Sequence, residues 1–254
     1  MKTVLKNEIE YGNWVPQKMI LIPIILGITI LMPGLFHWGF IIGGLIFLSI
    51  GIYFTIAWHL FSAKGGNIQD QVQELLVNHI DWQGAGNVLD IGCGNGPLTI
   101  KLAKRFPEAN ITGLDYWGKN WNYSIQVCEK NAQLAGVAER VSFQQGSAVQ
   151  LPSEDNSYDL VVSNLTFHEV MQAKDKRDCI QEVLRVLKPG GIFVLQDLFL
   201  LKAYFGTPQE LLDLMRLWGV SDVEFIRTCD EPFIPGLVKL PFMLGAVSIL
   251  RGKK

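Results

Sequence analysis

Residues 19–63 contain no Asp, Glu, Lys or Arg, an uncharged run of 45 positions bounded by Lys18 and Lys64. One helix needs roughly 20 apolar residues to cross a bilayer core, so the run is long enough for two. Its middle, Met32-Pro33-Gly34-Leu35-Phe36-His37-Trp38-Gly39, holds the Pro and Gly of a turn and a Trp suited to the headgroup level. The pattern predicts two transmembrane helices, about residues 19–36 and 40–61, with Gly43, Gly44 and Ala57 as small surfaces for helix contact. A cleaved signal peptide fits less well, because the apolar run starts only after eighteen residues, is too long for an h-region and lacks an A-x-A site. A buried hairpin in a soluble oligomer is the remaining alternative. Lys2, Lys6 and Lys18 precede the run, Lys64 follows it, and the turn carries no lysine. The positive-inside rule then places both ends, and the rest of the chain, on the cytoplasmic side of the cell membrane.

After the short linker Gly65-Gly66-Asn67 the pattern changes to alternating strand and helix signals, which predicts an α/β doubly wound domain over residues 68–254. An amphipathic helix over 69–80 (Val72, Leu75, Leu76, Ile80) leads to a buried-strand run at 87–91. A glycine turn, Gly92-Cys93-Gly94-Asn95-Gly96, follows, and then a helix over 98–105. Further strands are predicted at 110–114, 141–143, 158–163 and 191–195, the last preceded by a helix containing Val183, Leu184, Val186 and Leu187. Toward the C terminus a helix at 207–218 and strands at 222–228 and 246–251 complete the pattern. The chain thus divides into an N-terminal segment (1–18), a transmembrane hairpin (19–63) and a catalytic-type domain (68–254).

Composition narrows the function classes. The 254 residues are 49% hydrophobic and 18% charged, more apolar than an average soluble domain, consistent with a part in lipid. Lys plus Arg total 22 against 24 Asp plus Glu, so no basic excess is available to hold nucleic acid by counterion release. The four cysteines, Cys93, Cys128, Cys179 and Cys229, form no CxxC pair and have no His at zinc-ligand spacing, so neither a disulfide framework nor a metal site is signalled.

The glycine turn joins a strand to a helix, where positive φ and free N–H groups favour a negatively charged ligand. A dinucleotide fingerprint requires glycine at position 97, which is Pro97 here; the spacing G-x-G-x-G disfavours a nicotinamide enzyme. Asp115 ends the second strand, where a carboxylate can chelate two ribose hydroxyls or simply cap a helix.

Four segments occur in one order: VLDIGCGNG (88–96), GLD (113–115), LPSEDNSYDLVVSN (151–164) and EVLRVLKPGG (182–191). Together they resemble class I S-adenosylmethionine-dependent methyltransferases, and within these the small-molecule branch that includes ubiquinone and menaquinone biosynthesis enzymes. The resemblance implies a Rossmann-like, mostly parallel sheet and S-adenosylmethionine as cofactor. It also implies that Asp90 and the turn Gly92, Cys93, Gly94, Asn95 and Gly96 hold the methionine end, and that Asp115 binds the ribose. Tyr116 and Trp117 would pack on adenine, or serve as ordinary core aromatics. Where the family commonly has an acid for the adenine amino group this chain has Ser147, so Ser147 or the Ala148 N–H would take that contact. Asn164 follows the fourth strand, at the end of the sheet that faces cofactor and substrate. The chain has no N/D-P-P-Y/F motif there, which disfavours methylation of nucleobase amino groups. His168 is the general-base candidate, because a neutral imidazole accepts a proton near pH 7; the alternative is a histidine that only shapes the pocket.

The expected partners are a small, membrane-associated acceptor and the lipid bilayer. Two apolar stretches bear on this. Residues 233–244 suggest membrane contact or a hydrophobic substrate mouth, against ordinary packing, and residues 11–16 suggest an interfacial anchor or a lid. Rival readings are a methyltransferase of a soluble metabolite and a noncatalytic cofactor-binding membrane subunit.

Overall fold

The computed structural model describes residues 8–35, 37–118, 123–220 and 222–254. Lys2, Lys6 and the first span's end at Phe36 lie outside the described residues. The chain forms two compact units, Asn13–Val72 on the one hand and residues up to Gly12 together with Gln73–Lys254 on the other.

In the first unit, α1 (Gln17–Leu31) and α2 (Trp38–Phe61) pack side by side, joined by a 3-10 turn at Met32–Leu35. Two segments, Gln17–Gly34 and Trp38–Phe61, are long and apolar enough to cross a bilayer. Their close approach depends on glycine. A Cβ on Gly27 would lie 2.8 Å from Leu48, one on Gly44 2.5 Å from Leu31, and one on Gly51 2.5 Å from Ile24. Of the small residues expected at the contact, Gly44 lies in this tight seam with Gly27 and Gly51 and Ala57 is buried, whereas Gly43 meets only ordinary contact with Ile30 at 3.4 Å. The outer faces expose Ile22, Ile25, Ile46 and Ile52.

The larger unit is built on a seven-stranded sheet. After α3 (Ile68–Asn78), which crosses the boundary between the units, come β1 (Gly86–Ile91), α4 (Pro97–Arg105), β2 (Ala109–Asp115), α5 (Ile125–Leu134), β3 (Val141–Gln145) and β4 (Tyr158–Asn164). Then follow α6 (Asp178–Val186), β5 (Leu187–Asp197), α7 (Lys202–Phe205), α8 (Pro208–Leu217), β6 (Asp222–Ile226) and β7 (Ser248–Lys253). The strand order is β3-β2-β1-β4-β5-β7-β6, with the first five parallel and β7 antiparallel to both its neighbours. This is the mostly parallel, doubly wound sheet that the resemblance implies.

Successive residues of the central strands enter different cores, as a period of two requires. Val88, Leu160, Val162 and Val194 pack on one face with Leu98 and Leu102 of α4. Leu89, Val161, Phe193 and Leu195 pack on the other with Ile180 and Val183 of α6 and Leu211 and Met215 of α8. Both faces are covered, which is why these strands read as continuous apolar runs.

Boundaries differ from the sequence reading mainly where hydrogen bonding extends an element beyond its apolar residues. The helix predicted to run through Leu187 stops at Val186, and β5 includes Leu187 at one end and Gln196-Asp197 at the other. The last strand is displaced from 246–251 to Ser248–Lys253. Helix α5 was not predicted; Ser124 caps it by accepting from Val127 N.

Candidate active site

The sheet order reverses between β2-β1 and β4-β5, and in sheets of this kind ligands bind at the carboxyl edge of such a switch point. The glycine turn after β1 lies there. Gly92, Gly94 and Gly96 have φ of +76°, +59° and +81°, a left-handed conformation that side chains strain. Gly92 is the most constrained, since a Cβ would lie 1.9 Å from Thr166 Oγ1. Thr166 and Ser163 both donate to the Ile91 carbonyl, at 3.2 and 2.9 Å, tying the end of β4 to that of β1. Pro97 then opens α4, where a missing N–H costs nothing.

Asp115 closes on this turn from the end of β2. Its Oδ2 accepts from Gly94 N at 2.9 Å and its Oδ1 from Trp117 N at 2.8 Å. The backbone of Tyr116 hydrogen-bonds the same carboxylate, which still keeps acceptor capacity for a ligand hydroxyl. Burial pushes the Asp115 pKa up, and the backbone hydrogen bonds oppose it. Trp117, at φ +45°, folds back so that its Nε1 donates to the Gly94 carbonyl at 2.9 Å. Tyr116 does not share this position. Its ring is exposed, and its carbonyl accepts from Gln145 Nε2.

Asp90 sits one residue before the end of β1, fully buried, accepting from Thr99 Oγ1 at 2.6 Å. Burial raises its pKa to about 7; the Thr99 hydrogen bond opposes this and the Asp115 charge adds to it. Two buried charges of one sign at a ligand edge are costly unless a cationic group compensates them. Ser147, on the loop after β3, has a buried hydroxyl with no hydrogen-bond partner, while the neighbouring Gly146 N donates to the Asp115 carbonyl. Ala148 is buried behind it.

Two asparagines link the turn to segments remote in sequence. Asn95 Oδ1 accepts from Ser124 N, and its Nδ2 donates to the Glu10 carbonyl at 3.2 Å. The fully buried Asn131 of α5 donates to both the Asn95 and Glu10 carbonyls, at 3.0 and 3.1 Å, and accepts from Glu10 N at 2.9 Å. Residues 8–12 therefore lie against the cofactor-type turn, with Gly12 (φ +84°) packed on Tyr123. Asn131 escaped the sequence reading because α5 itself did.

His168 occupies a 3-10 turn, Phe167–Glu169, beyond β4. Its Nδ1 lies 2.7 Å from Asp197 Oδ1, at the end of β5. The same carboxylate accepts from Thr166 N (3.0 Å), Phe167 N (2.7 Å) and Leu198 N (2.7 Å), which fixes its orientation. In the neutral ring a carboxylate at Nδ1 holds the hydrogen there and leaves Nε2 as the acceptor. Burial pulls the His168 pKa down, but the charges of Asp197 and Glu169 and the Asp197 hydrogen bond outweigh it, and the net shift is upward from 6.5. The predicted strand ends at Leu195, two residues short of Asp197; an acid that close to the end of a buried parallel strand is the available signal. Asn164 reaches this edge but is held by Gln196, its Nδ2 donating to Oε1 at 2.7 Å.

The methyltransferase-domain family matches residues 83–224. A sterol 24-C-methyltransferase of Aspergillus fumigatus is 34% identical over 117 residues, 46% of this chain and 29% of that protein. A demethylmenaquinone methyltransferase of Lactobacillus johnsonii is 35% identical over 104 residues, 41% of this chain and 40% of that one. The chain thus spans less than half the length of these two curated relatives. Among solved structures, geranyl diphosphate C-methyltransferase from Streptomyces coelicolor, in complex with S-adenosyl-L-homocysteine, superposes with a TM-score of 0.58 at 15% identity. That superposition covers 75% of this chain and 78% of the other, and shows a common fold. With more than half of its length matched, and with the sheet order and glycine turn described above, this chain belongs to the methyltransferase-domain family.

Proposed function

We propose that the chain is a membrane-anchored enzyme that transfers a methyl group from S-adenosylmethionine to a small lipophilic acceptor. The observation that carries this reading is the closure of a left-handed glycine turn on a carboxylate, Gly94 N to Asp115 Oδ2, at the switch point of the sheet. Asp115 would hold the ribose diol, Asp90 the methionine ammonium, and the unpartnered Ser147 hydroxyl the adenine edge. When bound, the cofactor supplies an electrophilic sulfonium methyl. Trp117 covers the turn and excludes water, and residues 8–12, pinned by Asn95 and Asn131, confine the site from the other end of the chain.

His168 acts as general base. Asp197 holds its Nδ1–H, so Nε2 receives the proton that the acceptor releases as it gains the methyl group. The two apolar helices support anchoring, and Lys18 and Lys64 at their flanks favour a cytoplasmic domain. Relatives named for sterol and demethylmenaquinone support a lipophilic acceptor.

Calorimetry with S-adenosylhomocysteine and NAD tests the cofactor: binding of the first alone is expected, and binding of NAD alone overturns the reading. Mass spectrometry of membrane lipids and quinones, with and without the protein, tests the acceptor. A species differing by one methyl group is expected there; a change confined to water-soluble metabolites overturns the lipophilic acceptor.

A further inference from the structure

The link between β6 and β7 is out of proportion to its task. The two strands are antiparallel neighbours, Ile226 pairing with Ile249, yet residues 227–247, twenty-one in all, connect them, where two to five residues are typical of a hairpin. The register places this connection. Ser248 pairs with Asp197, the last residue of β5, so the connection rises from the carboxyl edge of the sheet, the edge that carries the His168–Asp197 pair.

Its apolar side chains divide into two sets. Ile234, Val238 and Leu244 are buried. Leu237, Leu240 and Phe242 are exposed, Phe242 to 62%, and from 232 to 247 the only charged residue is Lys239, itself exposed. An apolar tip with one cation is suited to the headgroup–acyl boundary, where the lysine stem lies along apolar surface and its ammonium reaches anionic lipid. Met171 and Tyr204, both exposed, follow β4 and β5 and belong to the same edge. The chain names the occupant: two apolar helices with exposed isoleucines precede the domain by only residues 62–67.

We infer that the 237–242 tip is a membrane-contact surface that dips into the bilayer beside the catalytic edge, so that a lipid-dissolved acceptor reaches His168 without crossing water. This rests on the anchoring proposed above. The tip enters the interface by about 5–10 Å, the depth usual for monotopic segments.

The test uses the full chain reconstituted in vesicles of equal parts phosphatidylcholine and phosphatidylglycerol. Phe242→Cys and Leu240→Cys are each labelled with an environment-sensitive dye, the four native cysteines being buried. Leu217→Cys is the reference, 80% exposed at the end of α8, on the opposite edge of the sheet, where β6 begins. Flotation reports anchoring, and brominated lipid reports insertion. The expected result is flotation of all three proteins, with quenching at 240 and 242 at least about twofold stronger than at 217, in keeping with insertion to that depth. Flotation with equal quenching overturns the membrane-contact surface and leaves the anchor standing. Failure to float overturns the anchor, and the inference with it. Binding of S-adenosylhomocysteine by each labelled protein checks that the domain is folded.

Discussion

Asp197→Asn isolates what the buried carboxylate does for His168. Asp197 accepts four hydrogen bonds, two at each oxygen: Thr166 N and Phe167 N at Oδ2, and His168 Nδ1 and Leu198 N at Oδ1. An amide of the same shape turns one oxygen into a donor: with its NH2 at the Oδ2 position it strands Thr166 N and Phe167 N, and at the Oδ1 position it strands Leu198 N alone, because the neutral ring shifts its hydrogen to Nε2 and accepts at Nδ1. At about 1–3 kcal/mol for each buried donor left unsatisfied, the second arrangement is favoured and the variant should be destabilised by roughly 1–3 kcal/mol. The effect on turnover has its own signature. In the parent, burial lowers the His168 pKa but the Asp197 and Glu169 charges raise it further, to a value above 6.5. Only the unprotonated ring accepts a proton, so turnover should rise with pH through that raised value. Without the Asp197 charge, burial dominates and the limb should move below 6.5, while kcat falls by about 10²-fold or more as the ring loses its orientation. The assay is S-adenosylhomocysteine release against pH, with calorimetric cofactor affinity as the control. Stability follows the same linkage. A raised histidine pKa contributes stability that is complete below about 6.5 and is lost as pH rises through the folded value, so the urea midpoint of the parent should fall across that window and the variant should lose this slope. An unmoved acid limb, with parental kcat, would refute the base role of His168.

Asp115→Ala should weaken S-adenosylhomocysteine binding by roughly 1.5–3 kcal/mol, the scale of hydrogen bonds to a charged group; unchanged calorimetric affinity would remove Asp115 from the site. Asp90 has a folded pKa of about 7, above its unfolded value, so its contribution to stability is complete below about pH 4 and is lost as pH rises through 7. A cofactor ammonium favours the ionised form, so binding at pH 6 should release a proton, seen as a buffer-dependent enthalpy that disappears in Asp90→Asn. Gly92→Ala should abolish cofactor binding, because its Cβ meets Thr166 at 1.9 Å. Gly136→Ala, at φ +71° with nothing within 4 Å of the added Cβ, should cost only the left-handed strain of about 1–2 kcal/mol and spare binding, as paired melting and calorimetry would show.

The sequence by itself determined the fold class, the uncharged hairpin segment and the position of the cofactor-type turn, since each is written in contiguous residues. Buried parallel strands appear as apolar runs, left-handed turns as glycines, and bilayer-length helices as uncharged stretches. Asp90, the Gly92–Gly96 turn, Asp115 and His168, the residues proposed for the site, stand out in the sequence for this reason, as local motifs at strand ends. Only the tertiary structure decided what pairs with them. Asp197 meets His168 across 29 positions of sequence, Asn131 reaches Glu10 across 121, and neither pairing leaves a periodic trace. It also separated Trp117, whose indole N–H donates to the Gly94 carbonyl, from the adjacent Tyr116, whose ring is exposed. The placement of residues 227–247 at the carboxyl edge of the sheet is likewise a consequence of register. Because β7 is antiparallel to β5, it begins beside the last residue of β5 and the connection must end there, and hydrophobicity along the connection carries no record of where its two ends are held.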